Sequence, residues 1–179
     1  MTKQKKCKYC GNQFTPYNSL QKNCFHDLCV KEMIKEKELK KWKAKKAKLK
    51  KDLMTTSDWL KIAQQTFNAF IRKRDQGFHC ISCGQKPKKV NAGHYFSAGG
   101  HSNVRFNEDN VHLQCEKCNQ FLSGNLLNYQ IGIEKRIGGE RLLQLHELAH
   151  VTKKWTIEEL QEINTVYKEK LKILKKLYI

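Results

Sequence analysis

Eight cysteines stand in four close pairs: Cys7/Cys10, Cys24/Cys29, Cys80/Cys83 and Cys115/Cys118, three of them spaced CxxC. A CxxC turn aims two sulfurs at one point, and two such turns complete a tetrahedral four-sulfur zinc site. The spacing therefore predicts two closed, structural zinc sites: Cys7, Cys10, Cys24 and Cys29, then Cys80, Cys83, Cys115 and Cys118. His26 is an alternative ligand in the first, although four sulfurs suffice there. A second meaningful spacing is His146-Glu147-Leu148-Ala149-His150, a literal H-E-x-x-H, with Glu169 further on. In zinc proteases that pattern supplies two ligands one helical turn apart and a glutamate base. Here it lies close to the C-terminus, with no room for a substrate-cradling sheet. Leu142, Leu143, Leu145 and Leu148 make its helix amphipathic, so two surface histidines are expected.

The charge balance narrows the partner. Lysine and arginine number 35 against 17 acidic residues, a formal charge of +18. Such an excess favours a polyanion, nucleic acid first and an acidic membrane surface second. No run of 18 apolar residues is present, and the basic start MTKQKKCKYC lacks the apolar stretch of a signal peptide. A cytoplasmic protein follows, in which cysteines hold zinc in preference to forming disulfides.

The elements that must carry these residues divide the chain into five regions and an α+β, mostly helical fold. Residues 1–30 form a zinc knuckle, and residues 31–53 a lysine-rich helical arm with no Gly or Pro. Residues 1–51 hold 16 lysines, no arginine and four acids, so +12 of the total charge sits there. Lys40, Lys41, Lys43, Lys45, Lys46, Lys48, Lys50 and Lys51 are expected to lie along DNA phosphates, which positions DNA without reading its sequence. A solvated helix or short coiled coil along Leu39, Trp42, Leu49 and Leu53 is the alternative. In residues 54–76 a helix starts after Thr56 or Ser57, ends at Gly77, and buries Trp59, Ile62, Ala63, Thr66, Phe67, Phe70 and Ile71. Residues 77–135 hold two short strands, FHCISCG and KVNAGHYF, then a flexible SAGGHSN loop and a helix carrying Cys115 and Cys118. Zinc would clamp hairpin to helix, with His94 facing a second metal held partly by that helix. Residues 136–179 are C-terminal helices, the last beginning in a Thr156–Glu159 capping box with a seam of Leu160, Ile163, Tyr167, Leu171, Leu174 and Tyr178.

Residues 77–135 resemble the HNH, or ββα-metal, endonucleases with a zinc ribbon. The matching elements, in order, are Cys80/Cys83, His94, Gly99-Gly100, Asn110, Cys115/Cys118 and Asn119. Over its whole length the chain resembles the NinG (Rap) recombination proteins of lambda-like phages, through CKYCGNQFTP, AGHYFSAGGHSN, DNVHLQCEKCN and SGNLLNY. The resemblance implies an endonuclease acting on branched DNA such as Holliday junctions and D-loops; cutting a four-way junction symmetrically needs two active sites, so a homodimer is expected. It implies His94 as general base, Asn119 as a ligand of one catalytic magnesium or manganese ion, and Asn110 as the residue that holds the loop. An imidazole suits the first role because its ordinary pKa, ~6.5, leaves it partly neutral at physiological pH.

One position departs from that pattern. The residue before the base is usually an Asp or His that ligates the metal, and here it is Gly93. Asn91, His101, His112 or Asn125 are the residues that would compensate, or His94 is itself a ligand and another group is the base. His101 and His112 are equally accounted for as phosphate contacts or packed histidines. A zinc protein that binds DNA without cutting it is the competing reading.

Overall fold

A computed structural model describes residues 3–177, which cluster into two units divided between Met54 and Thr55. Among the described residues, no helix is long and apolar enough to cross a membrane.

The first unit has almost no apolar core and is organised by its cysteines. Two short antiparallel strands, β1 (Lys5–Lys6) and β2 (Gln13–Phe14), flank the Cys7–Cys10 turn. Helix α1 runs Asp27–Asp52, so the lysine-rich helix begins four residues earlier than residue 31 and carries Cys29 in its first turn. Glu36 fastens α1 to the knuckle by accepting from Tyr9 Oη (2.6 Å) and pairing with Lys8 and Lys40. Lys40 and Lys8, with the Tyr9 hydroxyl, hold the Glu36 carboxyl down at about 2. Beyond Glu36 the helix is exposed on every side, Leu39, Trp42 and Leu49 included.

The second unit is built on the seam between α2 (Thr56–Arg74) and α5 (Ile157–Leu177). A capping box of Thr55 and Asp58 starts α2, one residue before the expected Thr56 or Ser57. The helix stops at Arg74, and Gly77 (φ +96°) only turns the chain afterwards. Trp59, Ala63, Phe67, Phe70 and Ile71 are buried along α2, facing Leu160 and Tyr167 of α5. Phe67 meets Tyr167 edge-on at 4.7 Å and Phe106 at 5.6 Å. Full burial of each such side chain is worth about 1.5–3 kcal/mol, so this seam is the main apolar anchor. Thr156 and Glu159 form the expected capping box. Ile163, Leu171 and Leu174 are half-buried, and Tyr178 lies outside the described residues.

The sheet differs from the sequence reading. FHCISCG is a knuckle turn, and the hairpin is β3 (Val90–His94) with β4 (Val111–Cys115), antiparallel, with His94 opposite Val111 and Val90 opposite Cys115. Phe78 and Ile81 gave the knuckle a strand-like look, but the turn around Cys80–Cys83 needs a tight chain reversal. Among the described residues the knuckle's one backbone-to-backbone bond to the sheet is Ile81 N to Leu113 O at 3.0 Å. The expected helix after Cys115 is also broken in two. A wide π-type turn, Lys117–Phe121, is followed by α3 (Leu126–Ile137), and then α4 (Gly139–Ala149) packs Leu142, Leu145 and Ala149 against Tyr129 and Ile133 of α3.

The end of α2 latches β4 through buried charge. Asp75 accepts from Leu113 N (2.9 Å) and Arg74 Nε (2.7 Å), and Arg74 donates to Val111 O (2.9 Å). His112 is 3% exposed, with Arg74 Nη2 donating to its Nδ1 (3.2 Å). Its Nε2 therefore carries the proton and donates to Asp109 O (3.0 Å). Burial, reinforced by the Arg74 charge and opposed by Asp75, lowers its pKa to about 4. The unfolded chain then takes up this proton first as pH falls, so stability is lost between about 6.5 and that value. Going from pH 7 to 5 is expected to cost about 2 kcal/mol through this group. Urea melts of the zinc-loaded protein at the two pH values check this, and His112→Gln should flatten the difference.

Candidate active site

A loop of residues 95–110 connects β3 to β4 and is tied at both ends by one side chain. Asn110 is fully buried. Its Oδ1 accepts from Phe96 N (2.7 Å), while Nδ2 donates to Phe96 O (2.9 Å) and Val104 O (3.0 Å). Asn110→Ala would leave Phe96 N and Phe96 O, both partly buried, unmet, while Val104 O keeps its bond from Asn107 N (3.1 Å); at about 1–3 kcal/mol for each unmet group the expected loss is at least about 2 kcal/mol. Chemical denaturation measures it, and Asn110→Asp, which turns a second acceptor oxygen toward the Phe96 and Val104 carbonyls in a buried site, should lose no less.

His94 closes β3 where this loop departs. Its Nε2 lies 3.1 Å from Arg105 O. A carbonyl only accepts, so Nε2 bears the hydrogen and Nδ1 keeps its lone pair, with no hydrogen-bond partner among the described residues. Burial lowers the His94 pKa below its ordinary value, against the pull of the Arg105 carbonyl, so the ring is neutral at pH 7. Arg105 is itself held by Nε donating to Ala98 O (2.9 Å). It is a positioning residue the sequence did not suggest, because its contribution is a backbone carbonyl.

His94 lines a cleft of about 620 Å³ together with Tyr95, Phe96, His101, Asn119 and Gln130. Asn119 comes from the π-type turn directly after Cys118. The structure thus brings His94 and Asn119 to one cleft, with Asn110 bracing the loop behind it. His101 also lines the cleft, but its Nδ1 is 2.9 Å from Ala149 O and its ring packs on Phe96. Asn91 is not among the lining residues, and its Nδ2 is buried without a hydrogen-bond partner. His112 faces Arg74 and Asp109 with both nitrogens engaged, so it is a packed histidine, not a ligand. Asn125 points elsewhere, donating to Cys118 Sγ (3.4 Å).

Gly93 has a physical cause. A Cβ added there would overlap Gln114 Oε1, because the fully buried Gln114 side chain already fills that space. Gln114 Nε2 bonds Ser82 Oγ (2.7 Å) and Gly124 O (2.5 Å), bridging the cysteine knuckle to the cleft wall. No side chain at position 93 can therefore ligate a metal without displacing Gln114.

Both cysteine tetrads have the geometry of a metal site. Within each, the four Sγ atoms lie within 4.8 Å of one another, and no cysteine is in a disulfide. Amides point at the sulfurs: Cys24 N to Cys7 Sγ (3.4 Å), Cys115 N to Cys80 Sγ (3.3 Å) and Cys118 N to Cys115 Sγ (3.4 Å). The amides around Cys7, that of Cys10 foremost, lower its thiol to about 6. Burial pushes Cys80 up, but the amides of Cys115, Cys83 and Ser82 outweigh it and bring the thiol to about 7. Thiolates stabilised in this way are ready zinc ligands. The two tetrads could hold two zinc ions.

The H-E-x-x-H segment gathers no third ligand among the described residues. His146 is not a surface histidine but packs edge-on against Phe96 (4.9 Å), while His150 is exposed beyond the end of α4. Of the α4 leucines, Leu142 and Leu145 are buried, whereas Leu143 and Leu148 are exposed. On α1, Lys41, Lys43, Lys45, Lys48 and Lys50 are exposed, Lys46 lies 4.9 Å over the Trp42 ring and Lys51 ends the run.

Comparison with known proteins places these features in context. The profile described as bacteriophage lambda NinG protein matches residues 1–177. The chain is 36% identical over 190 aligned positions to protein ninG of Escherichia phage 933W, covering 96% of this chain and 94% of that one. It is 45% identical over 124 positions to protein ninG of Escherichia phage lambda, covering 69% of this chain and 60% of that one. For protein ninG of Salmonella phage P22 the identity is 43% over 124 positions, with 69% and 61% covered. No solved structure matches the chain.

Proposed function

Since the chain belongs to the NinG family of bacteriophage lambda, we propose that it is an HNH, ββα-metal endonuclease that hydrolyses phosphodiester bonds in branched recombination intermediates. Its DNA would be a Holliday junction or D-loop in the host cytoplasm, and symmetric cutting of a four-way junction would need a homodimer. The observation that carries this reading is His94, neutral, with Nδ1 open, on the wall of a cleft shared with Asn119.

In the mechanism the residues supply a base and its aim. Nδ1 of His94 takes a proton from water as the water oxygen bonds to the scissile phosphorus and the P–O3′ bond breaks, the departing 3′ oxygen taking its proton from solvent. The Arg105 carbonyl fixes the tautomer and steadies the imidazolium that forms. Asn110 keeps the ring from swinging by pinning Phe96, two residues along. A general base so placed contributes about 10²–10⁴ in rate.

The fit to a catalytic divalent ion is a shared one. The cleft-lining residues are imidazoles, amides, hydroxyls and apolar groups, with no carboxylate. Magnesium ordinarily takes one or two carboxylates plus phosphate oxygens and water. These residues therefore suit an ion that arrives with the phosphate, Asn119 and one of the histidines holding it on the protein side. When bound, magnesium or manganese would neutralise charge developing on the phosphate.

The missing carboxylate is also the observation that favours the second reading, a zinc protein that binds DNA without cutting it. A labelled four-way junction and a linear duplex, each incubated with magnesium, manganese or no divalent ion, separate the two. Incision confined to the metal-containing lanes supports the nuclease, and tight binding without incision in any of them supports the binder.

A further inference from the structure

The segment between the second cysteine tetrad and α3 displays apolar side chains where a folded chain would ordinarily hide them. Phe121 is 74% exposed and Leu127 82%, with Leu122 and Leu126 about half exposed beside them. The backbone holds them out by an unusual bend, in which Ser123, Gly124 and Asn125 all take positive φ (47°, 88° and 46°). Two of those three have a Cβ, and such conformations persist only where the surroundings enforce them. The enforcement is visible: Gly124 O accepts from the buried Gln114, and Asn125 donates to Cys118 Sγ.

What lies on either side identifies the occupant. Leu126 and Leu127 form one wall of the His94 cleft. Leu122 borders a second recess, of about 460 Å³, in which Lys86, Lys88, Lys89 and Lys117 outnumber Glu116 and stand beside Cys83, Cys115 and Cys118. Lys89 reaches Glu116 at 3.1 Å, while no carboxylate lies within ion-pair distance of the other three among the described residues. An apolar ridge thus separates a phosphate-attracting recess from the cleft that holds the base. Continuous duplex has no exposed base faces to offer such a ridge. A branch point does, since its terminal base pairs can unstack, and apolar wedges entering a base step are a general way of gripping distorted DNA.

We infer that Phe121, Leu122, Leu126 and Leu127 form a wedge that packs against unstacked bases at a DNA branch point, one arm's phosphates lying in the lysine recess and the scissile strand in the His94 cleft. This rests on the nucleic-acid reading above and adds to it the element that selects branched DNA.

The test uses the full-length, zinc-loaded protein and four-way junctions carrying 2-aminopurine beside the branch. Binding without added divalent metal should raise its fluorescence, while the same base inside a linear duplex should not respond. F121A/L127A should abolish the rise and lower junction affinity about tenfold or more, as expected from losing base stacking. Linear-duplex affinity, zinc content and melting temperature should not change. A variant that keeps the rise and the junction preference overturns the wedge. So does a wild-type dimer that the double substitution turns monomeric without affecting junction binding, because the ridge would then cover a second copy of the chain. Wild-type protein that cuts junctions without a fluorescence rise refutes the wedge alone. Wild-type protein that shows the rise but cuts nothing with any metal refutes the nuclease alone.

Discussion

Cys118→Ala is expected to remove one of the two zinc ions that the tetrads could hold and to collapse the β3–β4 sheet with its cleft. The Cys118 side chain is 1% exposed, and its sulfur is the point at which the π-type turn meets the Cys80 knuckle. A two-stranded sheet is marginal by itself, and the knuckle adds to it the Ile81 backbone bond, Cys115 N to Cys80 Sγ and the Gln114–Ser82 side-chain bond. Structural zinc binding is worth about 10–16 kcal/mol, which exceeds the net stability of most domains this size. The α2–α5 seam does not depend on the tetrad, so helical content should largely survive while the cleft is lost. Cys7→Ala should take away the other zinc and leave the melting of the second unit unchanged. Elemental analysis, together with far- and near-ultraviolet circular dichroism, reads both variants. A Cys118→Ala protein that retains two zinc ions or melts as wild type contradicts the assignment.

His94→Ala is expected to lower cleavage by about 10²–10⁴ while zinc content and DNA affinity stay near wild type. The imidazole touches no zinc ligand, and its hydrogen bond to Arg105 O joins neither helix of the main seam. Its removal should therefore leave the unit folded. The pH profile adds an independent signature. Burial lowers the pKa of His94, so the base is deprotonated at neutral pH and the wild-type rate should be flat near pH 7. As pH falls through the depressed pKa the ring takes up a proton and the rate should drop. The residual rate of His94→Ala should lack that drop.

Sequence patterning captured the elements that rest on local chemistry. Two tetrads follow from cysteine spacing alone, the α2 face from its 3.6-residue period, and the Thr156–Glu159 cap from a short motif. What escaped depends on distant partners. Phe78 and Ile81 look like strand residues until the Cys80–Cys83 turn reverses the chain to gather its sulfurs, and β4 takes the pairing instead. The break at Ser123–Asn125 is a local signal that a continuous helix overlooks, since Ser-Gly-Asn is turn chemistry, and Gln114 and Cys118 hold it from outside. Gly93 stood out as a departure, but its cause, a buried glutamine across the hairpin, could be seen only once the register was known. Asn164, a polar residue in the α5 seam, is explained by Thr66 Oγ1 2.7 Å away on α2, a pairing that no local pattern encodes.

The most direct test of the central claim is single-turnover incision of a labelled four-way junction at saturating protein, wild type and His94→Ala side by side, with magnesium. The account predicts incision by the wild type and none by the variant on the same timescale, with equal binding by both. Equal incision by the two proteins, or binding by the wild type with no incision in magnesium or manganese, would contradict it.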